Sequence, residues 1–194
     1  RAERREMDAC KRPSEVSEAS PASKPAASSR KRPRDDGAPP APKPFLGRVK
    51  EICAKCTDDS QRLGWDEYFA SMALLASARS PCDRLHVGCV IVRDRRVLAM
   101  GYNGFFRNAP HTSIVAHGHE QATVHAEVNA VSHAARTGIA LDGASAYITH
   151  YPCVNCFKTL VSAGIKEVRY IDDYRNDPIN AQLSDVAGVP IEQL

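Results

Sequence analysis

Apolar residues recur along this chain at two spacings, and the switches between them mark its elements. From Asp66 to Arg79, Phe69, Met72, Ala73, Leu75 and Ala76 fall at helical spacing. Asp66, after Trp65, can cap that helix, and Pro81 ends the segment. Residues 86–92, HVGCVIV, form a β-branched run of strand type. A polar turn, Asp94-Arg95-Arg96, joins it to a hairpin partner, VLAMGY, over 97–102. Residues 103–123 read as a long loop. A helix over 126–137 ends at Gly138, a buried strand covers 144–149, a helix over 154–163 ends at Gly164, and a strand covers 167–171. A last helix, about 178–187, and a short strand over 190–193 follow. The order α-β-α-β after the hairpin predicts parallel strands with helices packed on the sheet faces.

Composition divides the chain. Residues 1–44 hold eleven Lys and Arg against seven Asp and Glu, eight of the thirteen prolines and no aromatic residue. Such a segment buries too little apolar surface to offset its ordering entropy, which predicts a disordered basic tail. Residues 45–194 hold fifteen Lys and Arg against sixteen Asp and Glu, so the overall charge of +3 belongs to the tail. Residues 45–63 read as a connecting segment, with a short helix over 45–56, and 64–194 as the functional domain. No run of 18 apolar residues occurs and the start lacks an apolar signal core, which predicts a cytoplasmic protein. In the tail, Arg30-Lys31-Arg32-Pro33-Arg34 fits a nuclear-import signal or a plain solvated linker. Direct nucleic-acid binding is disfavoured, because no aromatic side chain stands nearby to stack on a base.

Seven cysteines without a secretory signal point to thiols or metal ligands. Three residues stand at the starts of two predicted helices: His125, Cys153 and Cys156. Helix N-termini favour thiolate over thiol. One imidazole and two thiolates leave a fourth position open, the pattern of catalytic zinc, which lowers the pKa of a bound water. Glu127, two residues after the histidine, is placed to move a proton without being a ligand. H-x-E followed by P-C-x-x-C is the signature of zinc nucleobase deaminases. The competing arrangement is a four-cysteine zinc ribbon using Cys53 and Cys56, which leaves His125 and Glu127 without a role. Cys89 reads as core; Cys82, in a turn, and Cys10, in the tail, have no evident partner.

Further segments carry a resemblance. Trp65-Asp66-Glu67-Tyr68-Phe69, Val87-Gly88-Cys89-Val90-Ile91-Val92, Gly101-Tyr102-Asn103-Gly104, His125-Ala126-Glu127 and Pro152-Cys153-Val154-Asn155-Cys156 occur in that order. So do Ala163-Gly164-Ile165-Lys166-Glu167-Val168 and Asp172-Asp173-Tyr174-Arg175-Asn176-Asp177. Together they resemble the deoxycytidylate (dCMP) deaminase family over about residues 64–194. The resemblance implies a three-layer α/β/α cytidine-deaminase-like sandwich with a central mixed sheet. It implies hydrolysis of dCMP to dUMP and ammonia, zinc on His125, Cys153 and Cys156, and Glu127 as proton shuttle. It also implies a homo-oligomer, often hexameric, and regulation by dCTP with Mg2+ and by dTTP. Asn103, Ala126 and Tyr174 are expected at the nucleotide, and Arg79 is the candidate for its phosphate, against a plain exposed helix-end cation.

The loop after GYNG departs from the family. Phe105-Phe106-Arg107 stand where members often carry a small residue or proline. Members often carry cysteines in the next segment, which bind a structural zinc; here Pro110-His111-Thr112-Ser113 to His117-Gly118-His119-Glu120 has none. The second zinc is therefore expected to be absent, the other arrangement being histidines with Glu120 in place of thiols. Other substrates remain open: dCTP, a cytosine nucleoside such as deoxycytidine, or adenosine in tRNA. From a different class, a zinc-stabilised nucleic-acid-binding module would use the tail. The near-neutral domain favours a small substrate and disfavours nucleic acid.

Overall fold

In the computed structural model, which describes residues 62–116 and 119–194, the β-branched run at 88–92 becomes a strand buried on both faces. The elements in chain order are α1 (Trp65–Ser77), β1 (Gly88–Arg93), β2 (Arg96–Tyr102), β3 (Gly104–Phe105), β4 (Val115–Ala116), β5 (His119–Glu120) and β6 (Thr123–Val124). There follow α2 (Ala126–Thr137), β7 (Ser145–His150), α3 (Val154–Ser162), β8 (Glu167–Asp172), α4 (Pro178–Ala187) and β9 (Ile191–Gln193).

Five strands form one sheet in the order β2-β1-β7-β8-β9. β1 runs antiparallel to both β2 and β7, whereas β7, β8 and β9 are parallel. The sheet is therefore mixed, with the expected parallel half. Alternate residues of β1 serve two cores. Val90 and Val92 meet Phe69 and Ala73 of α1, with Tyr147, on one face. Cys89 and Ile91 join Ala126 and Ala130 of α2 and Phe157 and Leu160 of α3 on the other. These are the three layers of an α/β/α sandwich.

Two strand glycines let helices lie close on this sheet. A Cβ on Gly88 would come within 2.0 Å of the Ala73 carbonyl oxygen, and one on Gly101 within 2.3 Å of the Ala126 carbonyl oxygen. The β1–β2 hairpin turns on Asp94 and Arg95, both at positive φ, as a two-residue primed turn requires.

Several expectations need correction. Asp66 does not cap α1. Gly64 is the N-cap, and its N–H donates to Glu67 Oε2 at 2.7 Å. Asp66 instead accepts the Tyr147 hydroxyl at 2.6 Å and an Arg169 N–H at 3.0 Å, so it ties the helix to the sheet. Leu75 is exposed, because the buried stripe of α1 runs through Phe69, Ala73, Ala76 and Ser77. The segment 103–123 is not a plain loop. Short pairs form, β3 with β6 and β4 with β5, where local alternation is too brief to read from sequence. Among the described residues no helix is long and apolar enough to cross a membrane. The expectations for the tail, Arg30–Arg34, the helix over 45–56, Cys10, Cys53, Cys56 and His117 lie outside the described residues.

Candidate active site

Two helices begin at the same place. His125 is the N-cap of α2 and Cys153 the N-cap of α3, each with extended backbone. The α2 start is held to the sheet where Asn129 Nδ2 donates to the Tyr102 carbonyl oxygen at 2.9 Å. The α3 start is held by α4, where buried Asn180 donates from Nδ2 to the Pro152 carbonyl oxygen at 2.8 Å. Asp177 caps α4, accepting the Ile179 N–H at 2.9 Å, and Pro178 opens the helix with φ already set.

His125 Nδ1 lies 3.3 Å from Cys156 Sγ and 3.7 Å from Cys153 Sγ. All three ligand atoms fall within 4.8 Å of one another. A tetrahedral zinc with ordinary bond lengths separates N from S by about 3.5 Å, so the residues present fit that ion. Among the described residues, no other group of three such side chains comes together in this way. The Cys156 thiol, then His125 and a backbone N–H, pull Cys153 down to about 4 against its burial. Cys153 and burial push Cys156 up. The bond to Cys153 raises His125 despite burial. Glu127 is 4% exposed, and burial pushes its carboxyl up, opposed by its own backbone N–H and by His125.

Of these residues, His125, Cys153 and Glu127 line a cavity of about 370 Å3. Asn103, Ala126 and Tyr174 also line it. Asn103 does more than face inward. Its Oδ1 accepts the Val87 N–H and its Nδ2 donates to the Leu85 carbonyl oxygen, both at 2.8 Å, which fixes the strap entering β1. Ser80 donates to the Asn103 carbonyl oxygen at 2.8 Å and secures the other end of that strap. Arg79 is exposed and is not among the residues lining the cavity.

Among the lining residues that sequence reasoning missed are Cys82, Arg84, His150 and Arg175. Arg84 Nη2 lies 3.4 Å from the Tyr174 hydroxyl, and the Arg175 guanidinium sits 5.7 Å from the Tyr174 ring. The register of β1 against β7, Cys89 opposite Ile148, brings the strap 80–87 beside His150 and the Pro152-Cys153 turn. That antiparallel pairing joins distant segments, and no local pattern announces it. Glu120 also lines the cavity. Its carboxylate accepts from the Ser113 hydroxyl and from the Ala122 and Ile114 N–H groups, which hold it below the usual carboxylate range.

A mixed sheet between helix layers, with an imidazole and two thiolates beside a buried carboxylate, defines the zinc-dependent hydrolytic deaminases. Comparison with known proteins makes this specific. The family model for the cytidine and deoxycytidylate deaminase zinc-binding region matches residues 63–172, and the chain belongs to that family. Over 138 residues it is 41% identical to ComE operon protein 2 of Bacillus subtilis, covering 69% of this chain and 73% of that protein. It is 40% identical over 144 residues to the deoxycytidylate deaminase of Schizosaccharomyces pombe, covering 68% of this chain and 44% of that enzyme. The crystal structure of the dCMP deaminase of cyanophage S-TIM5 in complex with dCMP and dUMP superposes with a TM-score of 0.61 at 32% identity. That alignment covers 69% of this chain and 99% of the phage chain.

Proposed function

We propose that this chain hydrolyses dCMP to dUMP and ammonia, supplying dUMP for thymidylate synthesis. The observation that carries the reading is one cavity lined by His125 and Cys153 of the His125, Cys153 and Cys156 cluster, by the buried Glu127 and by the cations Arg84 and Arg175. A nucleoside needs no cation at its 5′ end, whereas a monophosphate does. The related proteins named deoxycytidylate deaminase and the phage enzyme's complex with dCMP and dUMP support the same substrate.

His125, Cys153 and Cys156 hold zinc in this reading, and when bound it supplies a Lewis acid that activates water. Glu127 performs the proton transfers. Its carboxylate takes a proton from the attacking water as oxygen bonds to C4 of the cytosine and delivers it to N3; it then carries the remaining hydroxyl proton to the exocyclic nitrogen, which leaves as ammonia as the C4–N bond breaks and the C4 carbonyl forms. Burial raises the basicity of Glu127, which suits a group that must both accept and return a proton. Asn103, Ala126 and Tyr174 shape the nucleotide site, and the phosphate role passes from Arg79 to Arg84 and Arg175.

Finer readings go with this one. Residues 64–194 form the catalytic domain behind a tail over 1–44 and a connector over 45–63. The enzyme is a homo-oligomer, with dCTP and Mg2+ as effector, and Arg30-Lys31-Arg32-Pro33-Arg34 directs nuclear import.

The decisive experiment is a deamination panel of cytosine, deoxycytidine, CMP, dCMP and dCTP on the zinc-loaded full chain, with and without dCTP as effector. The highest kcat/KM is expected for dCMP. Preference for deoxycytidine, or equal turnover of the two, would overturn the monophosphate assignment.

A further inference from the structure

His150 ends β7 and lines the cavity, yet the proton chemistry above gives it no task. Its Nδ1 lies 2.9 Å from the Thr149 hydroxyl oxygen. Thr149 is 1% exposed, and the same oxygen accepts the Gly88 backbone N–H at 3.1 Å. With that bond received, the hydroxyl still has one proton to donate. Leaving a buried donor unpaired is costly, and His150 Nδ1 is the acceptor beside it. Thr149 therefore donates to Nδ1. The ring nitrogen that receives a hydrogen bond carries no proton in a neutral imidazole, so the ring proton sits on Nε2. Burial lowers the pKa of His150, opposed by Asp172, its cross-strand neighbour on β8.

The surroundings say what such a donor is for. The edge of the His150 ring meets the Tyr174 ring, with centroids 6.1 Å apart. The Tyr174 hydroxyl lies beside Arg84, and Arg175 sits over the same ring. An imidazole N–H, a phenol and two guanidinium groups thus gather along one wall of the cavity. A phosphate monoester accepts hydrogen bonds from all of them. The opposite tautomer would aim a nitrogen lone pair at those oxygens, turning attraction into repulsion.

Resting on the monophosphate reading, we propose that Thr149 is a positioning residue that locks His150 as an Nε2–H donor to a phosphate oxygen of the nucleotide, beside Arg84. The tautomer is set before substrate arrives, so the donor costs no proton uptake and little reorganisation on binding.

Nitrogen-15 NMR of the imidazole in the ligand-free, zinc-loaded protein is expected to show His150 protonated on Nε2 and unprotonated on Nδ1. Thr149→Val is expected to raise the KM for dCMP about tenfold, the loss of one hydrogen bond to a charged group. The same substitution should change deoxycytidine kinetics less than about twofold, and Thr149→Ser should restore the dCMP value. A proton found on Nδ1 in the unsubstituted protein, or equal effects of Thr149→Val on dCMP and deoxycytidine, would overturn the proposal. Should Thr149→Val not fold, His150→Gln, which keeps a donor near Nε2, is expected to hold a dCMP KM that His150→Phe loses. Equal KM values for those two variants would count against it. Failure of the unsubstituted enzyme to deaminate dCMP would remove the monophosphate reading instead, while the NMR result still decides the tautomer.

Discussion

Gly101 lies so close under α2 that a Cβ there would stand 2.3 Å from the carbonyl oxygen of Ala126. The same Cβ would be 2.6 Å from the Ala130 backbone nitrogen. Both contacts are helix backbone, which cannot rotate aside as a side chain can. Ala126 sits between His125 and Glu127, so moving this turn moves both of those side chains together. Gly101→Ala is expected to destabilise the fold by about 1–3 kcal/mol, as overpacking does. It should also lower zinc occupancy and kcat together, read by thermal melting, metal analysis and steady-state kinetics. A variant with unchanged melting temperature and turnover would show that the sheet gives way easily.

Glu127→Gln keeps the shape of a buried side chain but cannot accept a proton. Turnover is expected to fall about 10²–10⁴-fold with zinc retained at one per chain. Undiminished turnover would remove Glu127 from the mechanism. Cys153→Ala and His125→Ala should instead lose the zinc itself, together with some thermal stability, because metal binding adds to folding free energy.

Asn180 reaches from α4 to the carbonyl just before the first thiolate, with no exposed surface. Asn180→Ala leaves the Pro152 carbonyl without this donor and frees the Cys153 turn. Removal of such supporting bonds typically weakens a metal site by about 10–100-fold, and chelator competition is expected to show a loss in that range. Zinc affinity equal to that of the unsubstituted chain would mean that α4 covers the site without holding it.

Acid should weaken the far side of the sheet first. Glu167 is held below its ordinary value of 4.5, chiefly by the Ser145 hydroxyl and then by Arg169. Its pKa is thus lower folded than unfolded. The stability it contributes is complete above the unfolded value and is lost as pH falls through the folded one. Melting temperature is expected to drop on acidification below about 4.5, and Glu167→Gln should flatten that part of the profile. A variant with the same acid slope would assign the effect to other carboxylates.

Much of this protein is legible locally. Gly138 and Gly188 close α2 and α4 in left-handed backbone at φ 70° and 65°, and the 3.6 and 2.0 periods between such signals mark helix and strand without any tertiary information. The metal ligands were legible for the same reason. Two helix N-termini, with HAE at one and PCVNC at the other, confine the chemistry to a few adjacent residues. Arg79 is a cation at a helix end near the site in sequence, yet it is exposed and does not line the cavity. Arg84, only five residues on, lines the cavity instead.

What the sequence determined by itself is the order of elements and the placing of HAE and PCVNC at two helix starts, since both depend on spacing within a turn or two of chain. What the tertiary structure decided is the partner of each element. Asp66 leaves the helix start for Tyr147 and Arg169, the pairing of β1 with β7 delivers Arg84 and Cys82 to the cavity, and Gly88 meets Thr149 across two strands. The hydrogen bonds among them join residues 61 to 103 positions apart, and their energies come from burial and mutual hydrogen bonding that exist only once the sheet has closed.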